Sequence, residues 1–193
     1  MGERTDVLER AVWVARTLYQ SGRVTGNTGN ISVRDGNMIY VSASGSTFAA
    51  LSREGFCAMD LEGNPVGGPK PSKEWPLHLS VYRAMPQVGA VIHTHSIYCV
   101  LWSCLEHGDE ADCIPDHTPY LRMKLGKVGV IPYAAPGSPE LFQAFEERLP
   151  HSDGWLLKRH GVVVPGRDVM DAFYGLEELE ESAHIAWELS KKV

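Results

Sequence analysis

Apolar residues recur at helical spacing between Thr5 and Gln20, where Val7, Leu8, Ala11, Val12, Val14, Ala15 and Leu18 share one stripe. Thr5 is placed to cap the start of that helix and Gly22 to stop it. The period then shortens. Ile31–Val33 and Met38–Val41 flank Arg34-Asp35-Gly36-Asn37, a hairpin signal, and Phe56–Met59 reads as another short strand. Pro65, Pro69 and Pro71, with the glycines among them, mark residues 64–71 as a loop. A helix over Lys73–Ala84 follows, with Pro76 in its first turn, where a missing donor does little harm.

The second half repeats this alternation. The pattern gives a strand at Gly89–Thr94, a helix at Ile97–Leu105 and a polar surface loop at Glu106–Asp112. A strand at Val128–Tyr133 and a helix at Pro139–Arg148 come next, then strands Trp155–Lys158 and Val162–Val164 meeting at His160-Gly161. Asp168–Lys191 reads as one long helix whose Glu177, Glu178, Glu180 and Glu181 leave much of it solvated. No repeat or linker interrupts the 193 residues, so one α/β domain is expected, with helices packed on a mostly antiparallel or mixed sheet.

Composition narrows the function classes. With 44% hydrophobic and 22% charged residues the chain has the makings of a globular core. A net charge of -6 offers no basic excess to neutralise a phosphate backbone, which argues against nucleic acid as a partner. The start, Met1-Gly2-Glu3-Arg4-Thr5-Asp6, lacks the apolar core of a signal peptide, and no apolar run approaches the ~18 residues of a membrane span. Cys57, Cys99, Cys104 and Cys113 form no C-x-x-C pair, so reduced thiols in a cytoplasmic protein are expected.

His93-Thr94-His95 carries the most chemistry. It closes the apolar run Val88-Gly89-Ala90-Val91-Ile92, and residues i and i+2 of a strand point to the same face. Two imidazoles aimed at one point make half of a borderline-soft metal site, most often zinc. Glu74 upstream and His160 downstream would complete three histidines and a carboxylate, the ligand set of a catalytic zinc. His107, His117, His151 and His184 have no such setting. His78 shares that lack; it lies one helical turn after Glu74, within reach of the ligands' surroundings, but reads first as an ordinary helix histidine.

Thr25-Gly26-Asn27-Thr28-Gly29-Asn30-Ile31-Ser32 alternates glycines with Asn and Thr just before a strand. Such a turn aims backbone amides into a concavity that suits an anion, though taken alone it reads first as a plain polar turn. Ser42-Ala43-Ser44-Gly45-Ser46 and Pro71-Ser72-Lys73 are two more small-residue turns, and the three together suggest a phosphate pocket. None of them matches a P-loop.

These motifs together resemble the class II aldolase/adducin family. The matching residues are Gly26 to Ser32, Ser44-Gly45, Lys70-Pro71-Ser72-Lys73-Glu74, His93-Thr94-His95-Ser96 and Arg159-His160-Gly161, in the family's order and spanning nearly the whole chain. The resemblance implies a three-layer α/β/α domain with a central, mainly antiparallel sheet. It implies one Zn2+ per subunit on His93, His95 and His160, with Glu74 as acid/base and, without substrate, a fourth ligand. It implies a phosphate site of Thr28, Gly29, Asn30, Ser44, Gly45 and Ser72, and a cyclic homotetramer with sites between subunits. Tyr120, in Thr118-Pro119-Tyr120, falls near a tyrosine that fuculose-phosphate aldolases send into a neighbour's site.

Lys73 stands where those aldolases have a second serine, and it reads either as a partner for a substrate carboxylate or phosphate or, equally, as an exposed helix lysine. That departure, with Thr118-Pro119-Tyr120 and Val130-Ile131-Pro132-Tyr133, is more similar to the 3-oxo-tetronate 4-phosphate decarboxylase branch. The implied activity is a zinc-dependent carbon–carbon lyase working through an enediolate on a small phosphorylated sugar or sugar acid. Decarboxylation to dihydroxyacetone phosphate leads, and retro-aldol cleavage follows. A non-catalytic adducin-like interaction module is the competing class; such heads lack the histidine set, which this chain has.

Overall fold

The computed structural model describes residues 4–191, with side chains from Val7 onward. Its strands are β1 (Asn30–Asp35), β2 (Met38–Ser42), β3 (Phe56–Asp60), β4 (Pro65–Gly67), β5 (Ala90–Thr94), β6 (Val128–Ile131), β7 (Gly154–Leu157) and β8 (Gly161–Gly166). They form one 8-stranded sheet in the order β4-β3-β2-β1-β5-β8-β7-β6. Every neighbouring pair is antiparallel except β6 with β7. The helices are α1 (Arg4–Gln20), α2 (Trp75–Ala84), α3 (Ile97–Ser103), α4 (Tyr120–Lys124), α5 (Pro139–Arg148) and α6 (Val169–Ser190). None of the described helices is long and apolar enough to cross a membrane.

Strand alternation sorts the apolar residues into two cores. Val162 and Val164 of β8 pack with Ala15, Leu18, Trp102 and Leu176 from α1, α3 and α6. Val163, between them, packs with Leu77, Val81, Leu141 and Phe145 from α2 and α5. The sheet is therefore covered on both faces, which gives the expected three-layer α/β/α arrangement and explains why β5 and β8 are apolar almost throughout.

The differences from the sequence reading have local causes. Residues 64–71 are not all loop, because Pro65–Gly67 pairs with β3 as the sheet's edge strand, where a proline removes no needed ladder donor. α2 begins at Trp75 instead of Lys73; Glu74 stands at the N-cap position and Pro76 within the first two helical positions. α3 stops at Ser103, two residues short of Leu105, and β6 ends at Ile131. The short helix α4 carried no periodic signal long enough to read. Thr5 lies inside α1, and its side chain is outside the described residues. The hairpin turn is the two residues Gly36-Asn37 between the paired Asp35 and Met38, with Gly36 at φ 61°.

The acidic run of α6 is also less solvated than its composition suggests. Asp168 caps the helix, accepting from Met170 N and Asp171 N at 2.9 Å. Glu180 is fully buried and accepts from Tyr98 N at 3.1 Å and Cys99 N at 2.9 Å, with Arg23 Nη1 3.6 Å away. Its carboxylate thereby satisfies open amides at the start of α3, which only Ser96 separates from His95.

Candidate metal centre and active site

Two strands and one helix mouth bring the candidate ligands together. His93 is the fourth residue of β5 and fully buried, and His95 lies just beyond the strand end. β8 pairs with β5 in antiparallel register, Thr94 opposite Val162, so the β7–β8 turn carrying His160 falls beside His95. Ligand atoms of the three rings all lie within 4.8 Å of one another. Glu74 joins from the start of α2, with Oε2 at 3.4 Å from His93 Nε2 and Oε1 at 3.3 Å from His160 Nε2.

Two local features permit this approach. Gly161 carries no side chain, and a Cβ there would lie 2.3 Å from Thr94 O and 3.0 Å from atoms of both His93 and His95. Arg159, just before His160, has a φ of 59°, the single left-handed non-glycine among the described residues. Its amide is held by Ser103 Oγ at 3.0 Å, which fixes the turn that presents His160.

The donor set fits a metal ion. His93 Nδ1 donates to Val162 O at 3.0 Å, which fixes the tautomer and leaves the Nε2 lone pair facing the site. His95 Nε2 lies 3.2 Å from that atom. A tetrahedral ion with ligands at about 2.0–2.1 Å has edges of about 3.3–3.4 Å, close to the spacings of the histidine and glutamate atoms. Burial, followed by the neighbouring imidazoles, holds the His93 and His160 imidazoles below their ordinary pKa, and burial does the same at His95. Neutral rings are what a metal requires. Glu74 Oε1 is buried with no hydrogen-bond partner among the described residues, which leaves one carboxylate oxygen free for an ion or a proton.

A cavity of about 380 Å³ opens beside this cluster. Its walls include Asn27, Thr28, Gly29, Asn30, Ser44, Gly45, Ser46, Ser72, Lys73, Glu74, His95 and His160. The three small-residue turns of the sequence therefore meet in one place, at the histidine cluster. Gly29 has a φ of 80°, and a Cβ on it would lie 2.8 Å from His93 O, so this wall packs directly on the ligand strand. Lys73 reaches over the rim, its Nζ 3.3 Å from Pro136 O. Tyr120 does not join this cavity; it opens α4 and is more than half exposed.

Asn30 is less open to ligand than expected. Its side chain is 4% exposed and held on both sides, by Glu74 Oε2 at 3.2 Å and by the ring of His78. His78 is no ordinary helix histidine, since it is fully buried and its Nδ1 lies 2.7 Å from Ser32 Oγ. Ser32 and Tyr82, 2.8 Å apart, extend the same seam and went unnoticed in the sequence. The signal was there. Asn30 and Ser32 alternate along a strand while Glu74, His78 and Tyr82 recur at i, i+4 and i+8 along a helix.

Comparison with known proteins agrees with this geometry. The pattern of the class II aldolase and adducin N-terminal domain family matches residues 9–187. The chain belongs to that family. A Haemophilus influenzae relative named 3-oxo-tetronate 4-phosphate decarboxylase is 42% identical over 188 residues, covering 96% of this chain and 90% of the relative. A Methanococcus maripaludis L-fuculose phosphate aldolase is 36% identical over 178 residues, covering 92% of this chain and 94% of that one. Among solved structures, YgbL from Klebsiella pneumoniae superposes with a TM-score of 0.92 at 34% identity, covering 96% of this chain and 90% of YgbL. YgbL is assigned no more narrowly than aldolase, epimerase or decarboxylase. In this class II aldolase-like chain each motif that carried the resemblance contributes at least one residue to the cavity wall.

Proposed function

We propose that this chain is a zinc-dependent carbon–carbon lyase that decarboxylates a 3-oxo-tetronate 4-phosphate to dihydroxyacetone phosphate. The observation that carries the reading is the meeting of three neutral imidazoles and a carboxylate at the wall of a polar, glycine-lined cavity. The 42% identity to a decarboxylase of that substrate supports it. His93, His95 and His160 would hold the ion, with Glu74 as a fourth ligand before substrate arrives. When bound, the ion supplies Lewis acidity that lets an adjacent ketone accept an electron pair.

The remaining work falls to the protein's own groups. Thr28, Gly29, Asn30, Ser44, Gly45 and Ser72 form the proposed phosphate end of the cavity, where backbone amides of the turns and hydroxyls suit a dianion. Lys73, at the rim beside Glu74, offers its ammonium to the substrate carboxylate. Loss of carbon dioxide breaks the C1–C2 bond and leaves its electron pair shared between C2 and the C3 ketone. Glu74, having taken up a proton from solvent at Oε1, the oxygen without a hydrogen-bond partner, delivers it to C2, so that dihydroxyacetone phosphate results and the carboxylate is left to take up the next proton.

Retro-aldol cleavage needs the same cage and would expel an aldehyde instead, a reading favoured by the 36% identity to a fuculose-phosphate aldolase. The proposal extends to a cytoplasmic homotetramer of one domain per subunit, in which exposed Tyr120 serves a neighbouring subunit's site. An assay of the zinc-loaded protein with 3-oxo-tetronate 4-phosphate and with fuculose 1-phosphate decides the reaction. Carbon dioxide release from the first supports the decarboxylase. Aldehyde release from the second alone overturns it.

A further inference from the structure

The polar seam between β1 and α2 ties the Asn30 and Glu74 side chains of the site to three buried residues, Ser32, His78 and Tyr82, that line neither the cavity nor the histidine cluster. Asn30 and Ser32, two residues apart on β1, face the stripe Glu74, His78 and Tyr82 along α2. The pitches match. Two strand residues advance about 6.6 Å and four helical residues about 6.0 Å, so each strand side chain falls between consecutive helix side chains. All five residues are at most 5% exposed.

Chemistry fixes the direction of every hydrogen bond in the seam. The Glu74 carboxylate only accepts, so the Asn30 amide turns its Nδ2 toward Glu74 Oε2 and its Oδ1 toward His78. An amide oxygen only accepts, so His78 Nε2 carries the proton. Burial pushes the His78 imidazole down to about 3, hence neutral, so Nδ1 has a lone pair and accepts from Ser32 Oγ at 2.7 Å. Ser32 Oγ, its hydrogen committed, accepts from Tyr82 OH at 2.8 Å. Donors therefore point one way through four steps, from Tyr82 to Glu74 Oε2. Glu74 Oε1 is left without a hydrogen-bond partner, facing His160.

We propose that His78 is a positioning residue, locked in its Nε2–H tautomer by Ser32 and Tyr82, which holds the Asn30 amide so that Glu74 is gripped by Oε2 and presents Oε1 to the substrate. This rests on the reading of Glu74 as the acid/base. Without the His78 donor the Asn30 amide is free to flip, and its carbonyl oxygen would then face the carboxylate and repel it. The seam also accounts for Asn30, whose two amide ends are already engaged within the protein.

The test uses the full-length chain. Ring 15N chemical shifts of His78 in the metal-free protein report its tautomer whatever the substrate proves to be, and the proposal expects the neutral Nε2–H form. With whichever of the two sugar phosphates the wild type turns over, His78→Leu should lose about 10–100-fold in kcat. Its KM should stay within about threefold, because His78 itself does not line the cavity. Its metal content should match the wild type. His78→Gln places an amide donor near the lost Nε2 and should recover most of the kcat. If His78→Leu does not fold, Ser32→Ala unlocks the ring without emptying its site and should lower kcat by about threefold or more.

An Nδ1–H tautomer overturns the proposal, as does wild-type kcat in His78→Leu or in its Ser32→Ala replacement. So does a His78→Gln variant as slow as His78→Leu. A wild type inert toward both sugar phosphates defeats the functional reading instead, and the tautomer still decides the positioning one.

Discussion

Gly161 lies so close to Thr94 that a Cβ on it would sit 2.3 Å from the Thr94 carbonyl oxygen. That contact sets how near β8 runs to the end of β5, and so how near His160 comes to His93 and His95. Gly161→Ala must push the strands apart or displace two imidazoles, since atoms of both rings lie 3.0 Å from the same point. The expected outcome is a loss of about 1–3 kcal/mol in stability by denaturant titration. Zinc affinity should fall about 10–100-fold by competition with a chelating dye. Wild-type affinity in this variant would show that the cage does not depend on the close approach.

Glu74 is assigned the proton, and three imidazoles remain to hold the ion without its charge. Glu74→Gln should therefore keep its zinc by elemental analysis while kcat falls by about 10²–10⁴-fold. A Gln variant with near wild-type turnover would remove Glu74 from the chemistry.

Acid should find His78 early. Its ring has an ordinary pKa of 6.5 when unfolded and about 3 when buried in the fold. Between those values the unfolded chain binds a proton that the folded chain refuses, so the group's contribution to stability is intact above about pH 6.5 and lost as pH falls toward 3. At pH 5 the loss from this ring is about 2 kcal/mol. His78→Gln does not titrate, so its stability should decline less than the wild type's over that window. Parallel curves for the two proteins would contradict the buried neutral ring.

Much of this was legible in the chain because it was local. A strand-end His-x-His, a helix with proline in its first turn and an Asp-Gly-Asn hairpin each declare themselves within a few residues. The bounds of α5 follow directly from Pro139 and the apolar spacing after it. What escaped depends on partners far along the chain. Glu180 reads as solvated among its acidic neighbours, because only the fold brings the start of α3 and Arg23 to it. His78 reads as ordinary until β1 supplies Asn30 and Ser32 across 48 and 46 residues. Pro65–Gly67 becomes a strand only because β3 offers it an edge.

Glu180→Ala removes the acceptor for two backbone amides, while Arg23 keeps Glu181, so stability should drop by about 1–3 kcal/mol. Glu180→Gln keeps an acceptor oxygen and should lose less. A solvated glutamate would change stability by about 0.5 kcal/mol or less on the same substitution, and denaturant titration separates the two cases.

The most direct test of the central claim is zinc K-edge X-ray absorption on the loaded protein without substrate. The account predicts one ion per chain with an inner shell of nitrogen and oxygen at about 2.0–2.1 Å and the multiple scattering of three imidazoles. A sulfur shell near about 2.3 Å, or scattering from fewer than two imidazoles, would contradict it.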